Sequence, residues 1–144
     1  MSTVTDIKKE VSIHASVEQV WSALTSPEAI KEYLYGTTVN TDWKEGGSIR
    51  FTGTWDGVPY EDKGTILAFR TNEVLEYTYW SSFSGVEDTP RNYAIVKFEL
   101  KAGRDQTQLV LTQRNSPTPQ MQENSEKGWE DILQQLKNVI EKTI

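Results

Sequence analysis

Between Thr37 and Gln113 the chain alternates short β-type runs with tight-turn residues and leaves no stretch for a helix. The runs are Thr37 to Trp43, Gly47 to Trp55, Tyr60 to Arg70, Val74 to Ser82, Asn92 to Leu100 and Gln106 to Gln113. Glu45-Gly46-Gly47, Asp56-Gly57, Thr71-Asn72 and Ala102-Gly103 supply turn chemistry between them. Connections this short join antiparallel neighbours, because a parallel pair needs a crossover of a dozen residues or more. A β-meander is therefore expected. Alternation is cleanest at Ala94, Val96, Phe98 and Leu100, and again at Leu109 and Leu111.

The flanks differ from this middle. A first strand is expected from about Thr3 to His14, with Ile7, Val11 and Ile13 on one face. ASVEQVWSALTSPEAIKEYL then reads as two short helices. Ser16 with Gln19 forms a capping-box pattern, and Ser26 before Pro27 caps the second helix, which Gly36 ends. After Gln113, Thr118-Pro119 opens a long helix. Met121, Ser125, Trp129, Ile132, Leu133, Leu136, Val139 and Ile140 recur on one side of it. From Pro119 to Lys142 it spans about 36 Å, enough to cross a sheet. With no repeat or linker in sight, residues 1–144 are expected to form a single domain.

Composition narrows the chemistry by exclusion. Cysteine is absent and His14 is the single histidine, so thiolate metal sites, disulfides and multi-histidine zinc sites are unavailable within one chain. His14 reads as a surface strand residue. The net charge of −6, with no clustered basic run, argues against a nucleic-acid partner. No run of eighteen apolar residues suggests a membrane span, and the polar start MSTVTDIKKE lacks a signal-peptide core. A cytoplasmic protein without a metal or other cofactor, monomeric or a weak homodimer, is the expectation.

The order strand, two helices, six strands, long helix is that of the α+β helix-grip (START/Bet v-like) fold, in which a curved antiparallel sheet wraps the terminal helix. Four segments sharpen this. The helical segment ASVEQVWSALTSPEAIKEYL, the strand entry from Trp43 through Gly46-Gly47 to Arg50-Phe51, the run ending LVLTQ at Gln113, and EKGWEDILQQLKNVIE from Glu126 stand in order along the chain. Together they resemble the activator of heat shock protein 90 ATPase homologue-like branch of the START-related (SRPBCC) superfamily. The resemblance implies a pocket between sheet and helix, since members of the wider superfamily bind lipids, sterols, polyketides or plant hormones. It also brings two alternatives: a co-factor for a chaperone in a stress response, and a cyclase- or hydrolase-like enzyme. The eukaryotic activator carries a chaperone-binding domain ahead of this one, which has no counterpart in these 144 residues.

The expected ligand is thus a small hydrophobic molecule, lipid-like or aromatic. Phe51 and Trp55 would face the helix or the space beneath it, and Gly53 would bend the sheet or leave room. Tyr77 and Tyr79 share a face opposite Trp80, although the pattern leaves open which face is inside. Tyr93 and Gln113 are candidates for a polar role, and Trp129 and Leu133 for the helix wall. Gly128 costs about 1 kcal/mol against alanine within a helix, so it has a reason to be there. Relief of crowding beside Trp129 is the first reading, and close approach of a ligand the second. Asp56, Glu61 and Asp62 read as exposed acids around one hairpin. Inward positions then carry almost no acid or base, and no catalytic residue is assigned. The loop from Ser81 to Asn92, with Phe83 as an apolar tip, is the credible gate.

Overall fold

Every neighbouring strand pair from β2 to β7 is consecutive in sequence, as the turns require. The strands are β1 (Ile7–Ile13), β2 (Thr38–Thr41), β3 (Ser48–Trp55), β4 (Val58–Arg70), β5 (Val74–Ser81), β6 (Ala94–Ala102) and β7 (Thr107–Arg114). In the computed structural model, which describes residues 6–82 and 84–142, they form one antiparallel sheet in the order β1-β7-β6-β5-β4-β3-β2. Two expectations, a first strand reaching back to Thr3 and an apolar loop tip at Phe83, fall outside the described residues.

The chain passes from β1 at one sheet edge to β2 at the other through α1 (Val17–Thr25) and α2 (Pro27–Tyr33). The Ser16 hydroxyl accepts from Gln19 N–H at 3.1 Å while the Gln19 side chain accepts from Ser16 N–H at 2.9 Å, closing the capping box. Ser26 caps α2 by accepting from Ala29 N–H. α3 (Pro119–Glu141) starts with Thr118 accepting from Met121 N–H at 3.1 Å and Pro119 in the first turn. Each such cap is worth about 1 kcal/mol and fixes where its helix begins. α3 packs against β1, α1 and α2, with Leu136 wholly buried among Ile13, Val20, Ile66, Leu109 and Leu111 in the same core. The result is the α+β helix-grip architecture.

Local departures have local causes. β2 ends at Thr41 rather than at Trp43, whose φ of 58° is incompatible with a strand. The Trp43 ring instead sits 6.0 Å from that of Phe69. β4 begins earlier than the apolar pattern suggested, because Asp56 and Gly57 (φ 52° and 78°) make a two-residue hairpin that pairs Trp55 with Val58. This is the positive-φ turn that matches the strand twist. His14 lies just beyond β1, exposed, with its backbone N–H donated to Glu141 at 2.9 Å.

Of the two expectations for Gly53, a bend or added room, the register gives no sign of the first. The β3–β4 ladder runs through Gly53 unbroken, opposite Tyr60. The β4–β5 register shifts between Ile66 and Ala68, and shortly before it a Cβ on Gly64 would fall 1.6 Å from the Thr78 carbonyl oxygen. Only glycine permits that approach, and Thr65 N–H compensates by donating to the Thr78 hydroxyl at 2.8 Å.

Candidate functional site

Between the inner faces of β3 to β5 and α3 lies a cavity of about 320 Å³. Phe51, Tyr77 and Tyr79 form its sheet wall, with ring centroids 5.7 Å (Phe51–Tyr77) and 6.0 Å (Phe51–Tyr79) apart. The helix wall is Ser125, Gly128, Trp129 and Ile132, a spacing of three, four and seven that defines one helical face. Trp129 stands edge-on to Phe98 at 5.7 Å. Trp55 and Tyr35 line the cavity while remaining 66% and 56% exposed, so they stand at its mouth.

Gly128 borders open space. Leaving aside its two chain neighbours, a Cβ built there meets nothing within 4 Å. Its bare backbone is part of the cavity wall. Gly53 is the opposite case: a Cβ there would come 2.6 Å from the Tyr60 hydroxyl, so the glycine leaves room for the Tyr60 phenol. Gly53 itself is not part of the lining.

Polar groups gather at three points of this aromatic space. Thr37 donates its hydroxyl to Leu34 C=O at 2.7 Å, and the Tyr60 hydroxyl lies 2.6 Å from the same Thr37 oxygen. Trp129 Nε1–H donates to Gln113 Oε1 at 2.6 Å, and the Gln113 amide donates on to Ser116 Oγ at 3.2 Å. The third point is Asp62. It is 9% exposed, lines the cavity, and accepts the Tyr79 hydroxyl on Oδ2 and Ser82 N–H on Oδ1 at 3.3 Å. Burial, followed by the charge and hydrogen bond of Asp62, holds the Tyr79 proton on its phenol well beyond the ordinary tyrosine range. Burial alone does the same for Tyr77.

Asp62 corrects the expectation of an exposed turn acid. The signal was in the strand's parity: Ile66 points inward, and Gly64, Asp62 and Tyr60 follow at every second position back along β4. The neighbour Glu61 faces outward, paired with Arg50 at 2.8 Å. Tyr60 and Thr37 were also missed, the first because it sits near a hairpin and the second because it precedes its strand.

Of the residues singled out from sequence, Phe51, Trp55, Tyr77, Tyr79, Gln113 and Trp129 converge on the cavity. Leu133 does not; it is 4% exposed and packed into the apolar core. Tyr93 lies on the other side of the sheet's end, donating its hydroxyl to Asp88 at 2.5 Å. Its pKa is pushed up to about 12, first by desolvation and then by that hydrogen bond. The same Asp88 meets Lys63 at 2.6 Å, and Asn115 donates to the carbonyls of Arg91 and Tyr93. The described part of the loop before β6 is therefore tied to its surroundings. Among the described residues no cluster of His, Cys, Asp or Glu is arranged to hold a metal ion, and no helix is long and apolar enough to cross a membrane.

A sheet gripping a long helix, with an aromatic cavity left between them, defines the helix-grip class of the SRPBCC superfamily. Within it, the chain belongs to the family described as Activator of Hsp90 ATPase homolog 1-like protein, whose sequence model matches residues 14–141. The solution structure of ChR145 from Cytophaga hutchinsonii is similar over 99% of this chain and 98% of that one, at 42% identity and a TM-score of 0.83. CalU16 from Micromonospora echinospora matches at 26% identity and a TM-score of 0.74, covering 94% of this chain and 75% of its own. The Aha1 dimer from Colwellia psychrerythraea shares the fold at 18% identity and a TM-score of 0.73, with 95% of this chain and 96% of that one covered. No curated protein matches the sequence.

Proposed function

We propose that this protein binds a small, predominantly apolar molecule in the cavity between β3–β5 and α3. The observation that carries the reading is Gly128: a helix position where alanine would fit and stabilise is left bare on the cavity wall. The walls around it are aromatic, and the volume of about 320 Å³ falls at the small end of the range for ligand sites, about 300–1,000 Å³. A compact ring system or short chain fits that size better than a full lipid. Phe51, Tyr77, Tyr79 and Trp129 form the contact surface, Gln113 fixes the Trp129 ring, and Trp55 and Tyr35 flank the entrance.

Native mass spectrometry of the purified protein, followed by denaturation, tests this. A small molecule released in stoichiometric amount is the expected result. A bare mass, together with no saturable binding across a panel of small apolar compounds, overturns the reading and turns attention to the chaperone partner that the family description suggests.

Asp62 favours one further reading, acid–base chemistry on the bound molecule, because it places a carboxyl group inside the cavity. A product that forms with the wild type and not with Asp62→Asn, while binding persists, supports it. Unchanged ligand after prolonged incubation removes it.

A further inference from the structure

The charges of this protein are sorted by face. On exposed or half-exposed positions acids and bases meet: Arg50 with Glu61, Lys63 with Asp88, and Arg114 with Glu76, at 2.8, 2.6 and 3.2 Å. Asp62 sits between Glu61 and Lys63 in sequence yet makes no ion pair among the described residues. Among the described residues its hydrogen-bond donors are the Tyr79 hydroxyl and the Ser82 N–H, both neutral. A carboxylate offers about four acceptor positions, so these two leave acceptor capacity directed at the cavity that Asp62 lines. A buried carboxylate ordinarily has a cationic partner, because desolvating it alone is costly.

The rest of the lining sharpens the contrast. Among the described residues no Lys, Arg or His contributes to the cavity wall. The other polar side-chain groups there are hydroxyls, one amide and the indole N–H groups of Trp55 and Trp129, and much of the rest is aromatic faces and edges. Phe51, Tyr77, Tyr79 and Trp129 surround a space with a single carboxylate at one end. Aromatic faces attract cations through their quadrupole, and the attraction grows when water is excluded. An anionic amphiphile such as a fatty acid would find no basic group and would meet Asp62 instead.

We infer that the ligand class is an amphiphilic amine: a compact aromatic or alkyl body carrying one ammonium group that donates to Asp62 while the aromatic rings enclose its carbon framework. This rests on the reading of the cavity as a ligand site and specifies its chemistry. Tyr79 acts here as a positioning residue, since its hydroxyl bond fixes the carboxylate's rotamer.

Isothermal titration of three probes with one carbon framework tests it: 4-phenylbutylamine, 4-phenylbutanol and 4-phenylbutyrate, each against wild type and Asp62→Asn. The expected order on wild type is amine, then alcohol, then acid, with the amine about ten-fold or more tighter than the acid, the size of one charged hydrogen bond. In Asp62→Asn the amine loses its advantage while the alcohol binds nearly as before. Tyr79→Phe keeps the carboxylate, so it should retain the preference for amine over acid at reduced magnitude. Equal or tighter binding of the acid on wild type overturns the amine inference and leaves the cavity as a binding site. If none of the three probes binds, nor the neutral dye 1-aminoanthracene, the binding reading itself falls and the inference with it. The wild-type comparison decides the matter even if Asp62→Asn fails to fold.

Discussion

Leu133, Leu136 and Ile140, toward the C-terminus of α3, are 4%, 0% and 3% exposed, whereas Ser125, Gly128, Trp129 and Ile132, before them in sequence, border a cavity. One helix thus fills the grip at one end and leaves it open at the other. The filled end meets branched aliphatic side chains of the same core, among them Ile13, Val20 and Leu109, all fully buried. The open end meets Phe51, Tyr77 and Tyr79, large rings spaced at 5.7 and 6.0 Å that stand as walls. Stability should therefore reside mainly in the first region and binding in the second, and substitutions ought to separate the two.

Leu136→Ala should give the largest effect. Truncating a fully buried leucine removes transfer energy and leaves a void, a loss of about 2–5 kcal/mol in denaturant unfolding. A loss below about 1 kcal/mol would mean that the aliphatic end is as loosely filled as the aromatic one.

Alkaline pH reaches both ends at once. Burial raises the pKa of Tyr33, Tyr77 and Tyr79 above the ordinary value of 10. Because the folded state holds these protons more tightly than the unfolded chain, the contribution is complete below that ordinary value. It declines as pH rises beyond it. In a titration followed by tyrosinate absorbance, these three of the six tyrosines should ionise only together with unfolding. Ionisation of all six in a protein with unchanged circular dichroism would show that the aromatic wall is open to bulk water.

Gly128→Ala should act in the opposite direction, raising stability by up to about 1 kcal/mol, since helix propensity improves and nothing opposes the added methyl. Destabilisation there would favour the crowding explanation. Smallest of all should be Arg50→Ala. Its ion pair with Glu61 has both side chains about half exposed, so chemical unfolding should change by less than about 1 kcal/mol.

Much of the architecture was legible because local signals agreed with one another. The Ser16–Gln19 box, the Ser26-Pro27 and Thr118-Pro119 starts and the Asp56-Gly57 turn each carry a backbone geometry in their own chemistry. Three of the four segments that resembled the family stand on those elements, and the fourth, ending at Gln113, stands on β7. The site was legible where size spoke, at Phe51, Tyr77, Tyr79 and Trp129. It was obscured where two-fold alternation met a hairpin. Asp62 lies near the turn at Asp56-Gly57, and acids near turns are ordinarily exposed. The expected strand from Tyr60 to Arg70 already held Asp62 in step with Ile66, but the nearby turn outweighed that alternation. Gly53 and Gly128 could not be told apart by sequence, since each interrupts an element. What separates them is the neighbour: the Tyr60 ring beside one, and open cavity beside the other.

The most direct test of the central claim is a fluorescence titration of 1-aminoanthracene into wild type and Gly128→Leu, with near-ultraviolet circular dichroism to verify that both are folded. The leucine side chain would occupy the space that the glycine leaves bare. The account predicts saturable one-site binding by wild type and its loss in a variant at least as stable. Undiminished binding by folded Gly128→Leu, or none by wild type, would contradict it.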